Sequence, residues 1–94
     1  MTLRIIVAVK AREAVVALHG WLSGAEVTEM EKVAAAQVLP VTVDLSQLAG
    51  VDTEGLRALR RLRGRGARLA HASPYIELML ERTRETDGDE PVVK

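Results

Sequence analysis

Four short apolar runs, separated by segments of helical period, constrain this chain more than any other feature of its sequence. Leu3 to Val9 is rich in β-branched residues, with Arg4 as its only charge, and reads as a strand. The polar stretch Lys10 to Glu13 reads as a hairpin turn into a second strand, Ala14 to Leu18 (AVVAL), which Gly20 is expected to break. Val41 to Leu45 (VTVDL) is nearly continuous in apolar character, the pattern of a central strand covered on both faces. Ala67 to Ala70 is the last candidate strand.

Three helices fit between and after these runs. In Ser23 to Gln37, the residues Val27, Met30, Val33 and Ala34 share one helix face, and Ser23 with Glu26 makes a capping-box pattern. Pro40 stops that segment. After a loop from Ser46 to Val51, a second helix runs from about Thr53 to Arg65. Leu56, Leu59 and Leu62 form its buried stripe, Arg57, Arg61 and Arg65 its opposite face, and Gly66 its stop. Ser73 followed by Pro74 starts a third helix, expected to reach about Arg84 and to bury Ile76 and Leu80 with Met79 or Tyr75 beside them. The order β-β-α-β-α-β-α is that of an α/β domain with a mixed sheet of about four strands. The expected domain covers residues 1–85, and the acidic, weakly patterned stretch 86–94 reads as a flexible tail. In such sheets the binding site tends to lie at the carboxyl ends of the strands. Here that edge carries Asp44, the Ser46–Asp52 loop and the start of the second helix.

Composition narrows the function. With 94 residues, the chain makes one domain with a modest core. One Trp, one Tyr and no Phe leave little for stacking on nucleic-acid bases. The absence of cysteine removes disulfides and thiolate metal sites and fits a reducing, cytoplasmic location. No apolar stretch approaches the ~20 residues of a membrane span. The net charge is zero but segregated: six arginines and no acid lie between Leu56 and His71. That stripe reads as a solvated helix face or a contact for an acidic protein partner, and no nucleic-acid partner is expected.

The run VTVDLSQLAGVDTEGLRAL, Val41 to Leu59, resembles the core of STAS domains, the sulfate-transporter and anti-sigma-factor-antagonist fold. Upstream, HGWLSGAEVTEMEK resembles the Gly-x-Leu and first helix of that family. Downstream, GARLAHASPYIELML resembles its Gly-led strand, Ser-Pro turn and last helix. The resemblance implies a phospho-switchable binding module. In bacterial anti-sigma antagonists, the Ser or Thr after the Asp is phosphorylated by a kinase-like anti-sigma factor. The unmodified form binds that factor and frees the sigma factor. The matching residue here is Thr53, and Asp44, Ser46, Asp52, Thr53, Glu54 and Gly55 are the implied partner-binding residues. The family's commoner Asp-Ser-Ser-Gly is replaced by Asp52-Thr53-Glu54-Gly55, which sets a fixed charge beside the hydroxyl. The segment Val51 to Leu56 equally resembles the STAS subunit of the bacterial lipid-asymmetry ABC transporter, which docks on an ATPase subunit. The segment alone does not separate the two.

Each of these residues also has a plain structural role open to it. Thr53 or Asp52 can cap the second helix, and Asp44 can satisfy loop amides. Asp44 with Asp52 lacks the positioned nucleophile and oxyanion donors of an acid/base site, so no enzyme is expected. His19 and His71, without cysteine, do not make a metal site, and no glycine spacing cradles a nucleotide, so no cofactor is expected. Trp21 is either a lid on the core or an exposed anchor.

Overall fold

Ala11 and Arg12 form the two-residue tip of the first hairpin, closed by the Lys10 N–H donating to the Glu13 carbonyl at 2.8 Å. In the computed structural model, which describes residues 3–81, this hairpin joins β1 (Leu3–Val9) to β2 (Ala14–Leu22), antiparallel over the full length of β1. The rest alternates: α1 (Gly24–Ala35), β3 (Val41–Asp44), β4 (Leu48–Val51), α2 (Thr53–Gly64) and β5 (Arg68–Ala70). A third helix, α3, covers residues 74–81. The α/β class and the mixed sheet expected from the sequence are present. The expected end of α3 near Arg84 and the tail over 86–94 lie outside the described residues.

The sheet runs β1-β2-β3-β5, and the short β4 pairs with β2 as well. Both β3 and β4 lie parallel along the same edge of β2. The first half of β2, Ala14 to Ala17, pairs with β3, and its last part, Gly20 to Leu22, pairs with β4. Two expectations are corrected here. Gly20 does not end the second strand. It adopts φ 109°, a conformation open to glycine, and the strand passes through a register shift there and continues to Leu22. The stretch expected to be a loop contains β4, making five strands. Its sequence, LAGV, has little strand propensity of its own. It pairs because Gly50 leaves room for Trp21: a Cβ at Gly50 would stand 2.0 Å from Cζ3 of the indole. Trp21 is thus a half-buried lid over β4 and not an exposed anchor.

All three helices pack on one face of the sheet. Val16, Leu18 and Val43 from the strands meet Val27, Met30 and Ala34 of α1, Leu56, Leu59 and Leu62 of α2, and Ile76 and Leu80 of α3 in a single core. The leucine stripe of α2 is buried as its spacing predicts, whereas Tyr75 of α3 turns out to solvent and Met79 takes the partly buried place. The other sheet face carries no helix among the described residues. It holds Ile6, Val15, Ala17, Thr42 and Arg68, all partly or fully exposed. The coverage expected on both faces of the Val41–Leu45 strand is therefore found on one. Helix α2 ends as its glycine predicts. Gly66 takes φ 107°, its N–H donates to Arg63 at 3.0 Å, and the Ala67 N–H donates to Leu62 at 3.0 Å, the paired bonds of a Schellman stop.

Arg61 stands on the exposed face of α2, its Nε 3.0 Å from Oε2 of Glu31 on α1. Exposed pairs of this kind contribute at most about 1 kcal/mol. Leu59 is fully buried, and its truncation removes packing that costs about 2–5 kcal/mol. Thermal melts of Leu59→Ala and Arg61→Gln are expected to separate widely, with the leucine variant far less stable. Equal destabilisation would place the helix in a different rotational phase.

Candidate functional site

Asp52 is the residue around which the carboxyl edge of the sheet is organised. Its backbone N–H donates to the Leu22 carbonyl at 3.1 Å, which ties the exit of β4 to the exit of β2. From that fixed position its two carboxylate oxygens point at two different helices. Oδ1 accepts from the Gly55 N–H at 2.8 Å and caps α2. Oδ2 accepts from the Gly24 N–H, the first residue of α1, at 2.9 Å. One carboxylate therefore satisfies an otherwise unpaired amide at the start of each helix and lies in the favourable field of both dipoles.

Ser23 and Glu26 supply the rest of the α1 start. The Glu26 carboxylate accepts from the Ser23 backbone N–H at 3.3 Å and from its hydroxyl. The Ser23 hydroxyl thus serves Glu26, and the amide of Gly24 is left for Asp52. This contact spans 28 residues of sequence and has no local signature.

Gly55 is buried beneath the turn. A Cβ there would stand 2.5 Å from Cγ2 of Val51 and 2.7 Å from the Leu22 carbonyl oxygen. Glycine is required for α2 to approach β2 and β4, and Gly55 shapes the site from below. Thr53 and Glu54 stand above it, both exposed. Thr53 is the first residue of α2, and since Asp52 carries the cap, its hydroxyl is not consumed by the helix start. Glu54 lies 3.6 Å from Nη1 of Arg57, one turn along the same surface, with both side chains at least half exposed.

Asp44 and Ser46 belong elsewhere. Asp44 is level with Ala17 on β2, and the end of β4 is level with Leu22. Five residues of strand, roughly 16 Å at ~3.3 Å per residue, separate the two levels. The intervening β4, absent from the sequence reading, is what moves them apart. Asp44 and Ser46 therefore stand at a different level of the sheet edge from Asp52 and Thr53. Asp44 instead closes its own turn, its Oδ1 accepting from the Ser46 N–H at 2.9 Å. That bond is the main reason its carboxyl lies below the ordinary aspartate value. The Ser46 hydroxyl, His71 and His19 add to the effect, against a smaller opposing contribution from desolvation. His71, held at φ 61°, follows the end of β5 on the exposed surface. Among the described residues no group of three acidic, His or Cys side chains is placed to hold a metal.

No sequence profile of a known family matches the chain, and no curated protein sequence matches it. Solved structures do. The anti-sigma factor antagonist SpoIIAA in its unphosphorylated form superposes with a TM-score of 0.61 at 21% identity, covering 85% of this chain and 82% of that one. The fold is STAS-like. An anti-sigma-factor antagonist STAS domain from Rhodobacter sphaeroides matches with a TM-score of 0.53 at 24% identity, over 77% of this chain and 92% of that one. A protein described as Mglu shares the fold over 68% of this chain, with a TM-score of 0.56 at 18% identity. The matched region is only 18% of that longer chain, so the likeness concerns one part of it.

The double cap has a measurable weight. A single Asp cap contributes about 0.5–2 kcal/mol. Asp52→Ala removes the acceptor for two helices and is expected to exceed that range, whereas Ser73→Ala, which loses the one cap bond from Ile76 N–H to Ser73 Oγ, should stay within it. Chemical denaturation of both variants decides the order. Asp44 has its own pH signature. Its folded-state pKa is lowered, so its contribution is present above the ordinary carboxylate range and lost as pH falls through the folded value. An NMR titration of its carboxyl carbon should show a midpoint below that of Asp in an unfolded peptide, moving up in Ser46→Pro, where the amide donor is gone.

Proposed function

We propose that this chain is a phospho-switchable protein-binding module of the anti-sigma-factor-antagonist kind, working in the cytoplasm by engaging and releasing a kinase-like anti-sigma factor. It acts by binding and not by turning over a substrate. Thr53 is the phosphoacceptor, and Asp52, Thr53 and Glu54 with the neighbouring start of α1 form the centre of the partner surface. The observation that carries this reading is the position of Thr53. It is exposed, at the first turn of a helix whose cap is already supplied by Asp52. Its hydroxyl is therefore available to a kinase without cost to the fold. The likeness in fold to two anti-sigma factor antagonists supports the same reading.

The physical basis of the switch is charge placed on a rigid frame. A phosphoryl group adds about −1.5 to −2 charges at neutral pH. At the start of α2 the helix amides and dipole tolerate that charge, so the domain stays folded. Asp52 and Glu54 flank the position, and the surface becomes strongly negative at one point. Arg57, four residues after Thr53 and 3.6 Å from Glu54, lies one turn along the helix, where its charge would offset only part of the added phosphate. An acidic or desolvated partner surface then loses its fit through repulsion, without unfolding of the domain.

Pull-downs from the native host with wild-type and Thr53→Glu baits test this directly. A kinase-like anti-sigma factor should be enriched on the wild-type chain and largely lost on Thr53→Glu. Thr53→Val should retain it while blocking phosphorylation. Equal recovery on wild type and Thr53→Glu contradicts the switch. Recovery of the ATPase subunit of an ABC-type transporter, with no anti-sigma factor, would assign the surface to a docking role instead.

A further inference from the structure

The outer edge of β1 pairs with no strand among the described residues. Lys10 and Glu13 form a hydrogen-bonded pair at the turn. Antiparallel ladders alternate bonded and non-bonded pairs, so with the observed register Val9, Val7, Ile5 and Leu3 are the positions not bonded to β2. Their N–H and C=O groups point away from the sheet. Among the described residues no strand meets them, because β1 ends the strand order. Several β1 side chains are exposed as well: Val9 is 69% exposed, Ile6 41% and Val7 39%, while Leu3 and Ile5 pack against the core. Exposed edges are ordinarily blunted by proline, a bulge or several charges, and β1 has none of these beyond Arg4.

We propose that this edge binds a second copy of the same chain, β1 against β1 in antiparallel array about a two-fold axis at Ile6. The sequence of β1 is self-complementary in that one register. Ile5 faces Val7 of the second copy, Leu3 faces its Val9, and all four outward-pointing residues of each strand find bonded partners. On the open face, Ile6 meets its own counterpart and Arg4 meets Ala8 of the second copy, so the only charge on the strand never opposes itself. On the helix-bearing face, the poorly covered Val9 receives a leucine. The contact uses none of residues 44–55, so a dimer carries two copies of the Thr53 surface. An interface of one strand edge is small, and the association is weak and concentration-dependent.

Sedimentation velocity on the full chain over a concentration series, with amide hydrogen exchange at the same concentrations, tests the proposal. The wild type should pass from monomer to dimer, and the amides of Ile5, Val7 and Val9 should gain protection as it does. Val7→Pro removes an N–H that faces the open edge and leaves the ladder to β2 intact, so it should abolish the dimer while retaining the circular dichroism of the fold. Ala8→Lys sets like charges opposite each other and should weaken the dimer at least tenfold. Arg4→Glu added to Ala8→Lys should restore it, a result that a merely unfolded variant cannot give. A wild type that stays monomeric throughout overturns the proposal, as does a dimer that survives Val7→Pro. Protection of these three amides that is independent of concentration also overturns it, because a segment of the same chain would then cover the edge.

Discussion

The carboxylate of Asp52, shared between the first amides of α1 and α2, is the interaction on which the rest of this structure depends. A small domain with an aliphatic core has many ways to pack three helices on one sheet face. The shared cap removes most of that freedom at one end. It holds Gly24 and Gly55 at hydrogen-bond distance from a single side chain. The Asp52 backbone is itself anchored to Leu22 in the sheet. Both helices therefore leave the sheet from one fixed point, and the exposed residues around that point, Thr53 and Glu54, are presented on a rigid base.

Close approach makes the clamp geometrically feasible. Gly55 lets α2 settle against Val51 and the Leu22 carbonyl, and Gly50 lets the indole of Trp21 lie over β4. Both glycines are buried, and each is needed for the space its missing side chain leaves, with no positive φ involved. The polar cap and the glycine contacts are complementary. A side chain at position 55 would push α2 outward and lengthen the bond from its own amide to Asp52. The carboxylate in turn holds the helix where only glycine fits.

Much of this was legible in the residues. The leucine stripe of α2, the Ser23–Glu26 helix start, the Gly66 stop and the Ser73-Pro74 start are all local signals, written within one or two helical turns, and each corresponds to what the chain forms. The misreadings share a physical cause. β4 has no local signature because Leu48 to Val51 has weak strand propensity and pairs with Gly20 to Leu22, some thirty residues earlier. Gly20 looked like a strand end because glycine usually is one, and its positive φ inside a continuing strand is dictated by the pairing with two successive neighbours. The candidate site divides in the same way. The Asp-Thr-Glu-Gly run marked the start of α2 correctly. The choice of Asp52 over Thr53 as its cap, the recruitment of Gly24 and the displacement of Asp44 by the length of β4 all arise from contacts distant in sequence.

The shared cap can be read directly in solution. The amide protons of Gly24 and Gly55 both donate to one carboxylate, so both should respond to its removal. In two-dimensional amide NMR with hydrogen exchange at neutral pH, the two resonances are expected to shift and to lose protection together in Asp52→Ala. If only Gly55 responds to that substitution, the two helices are capped independently and Asp52 does not join them.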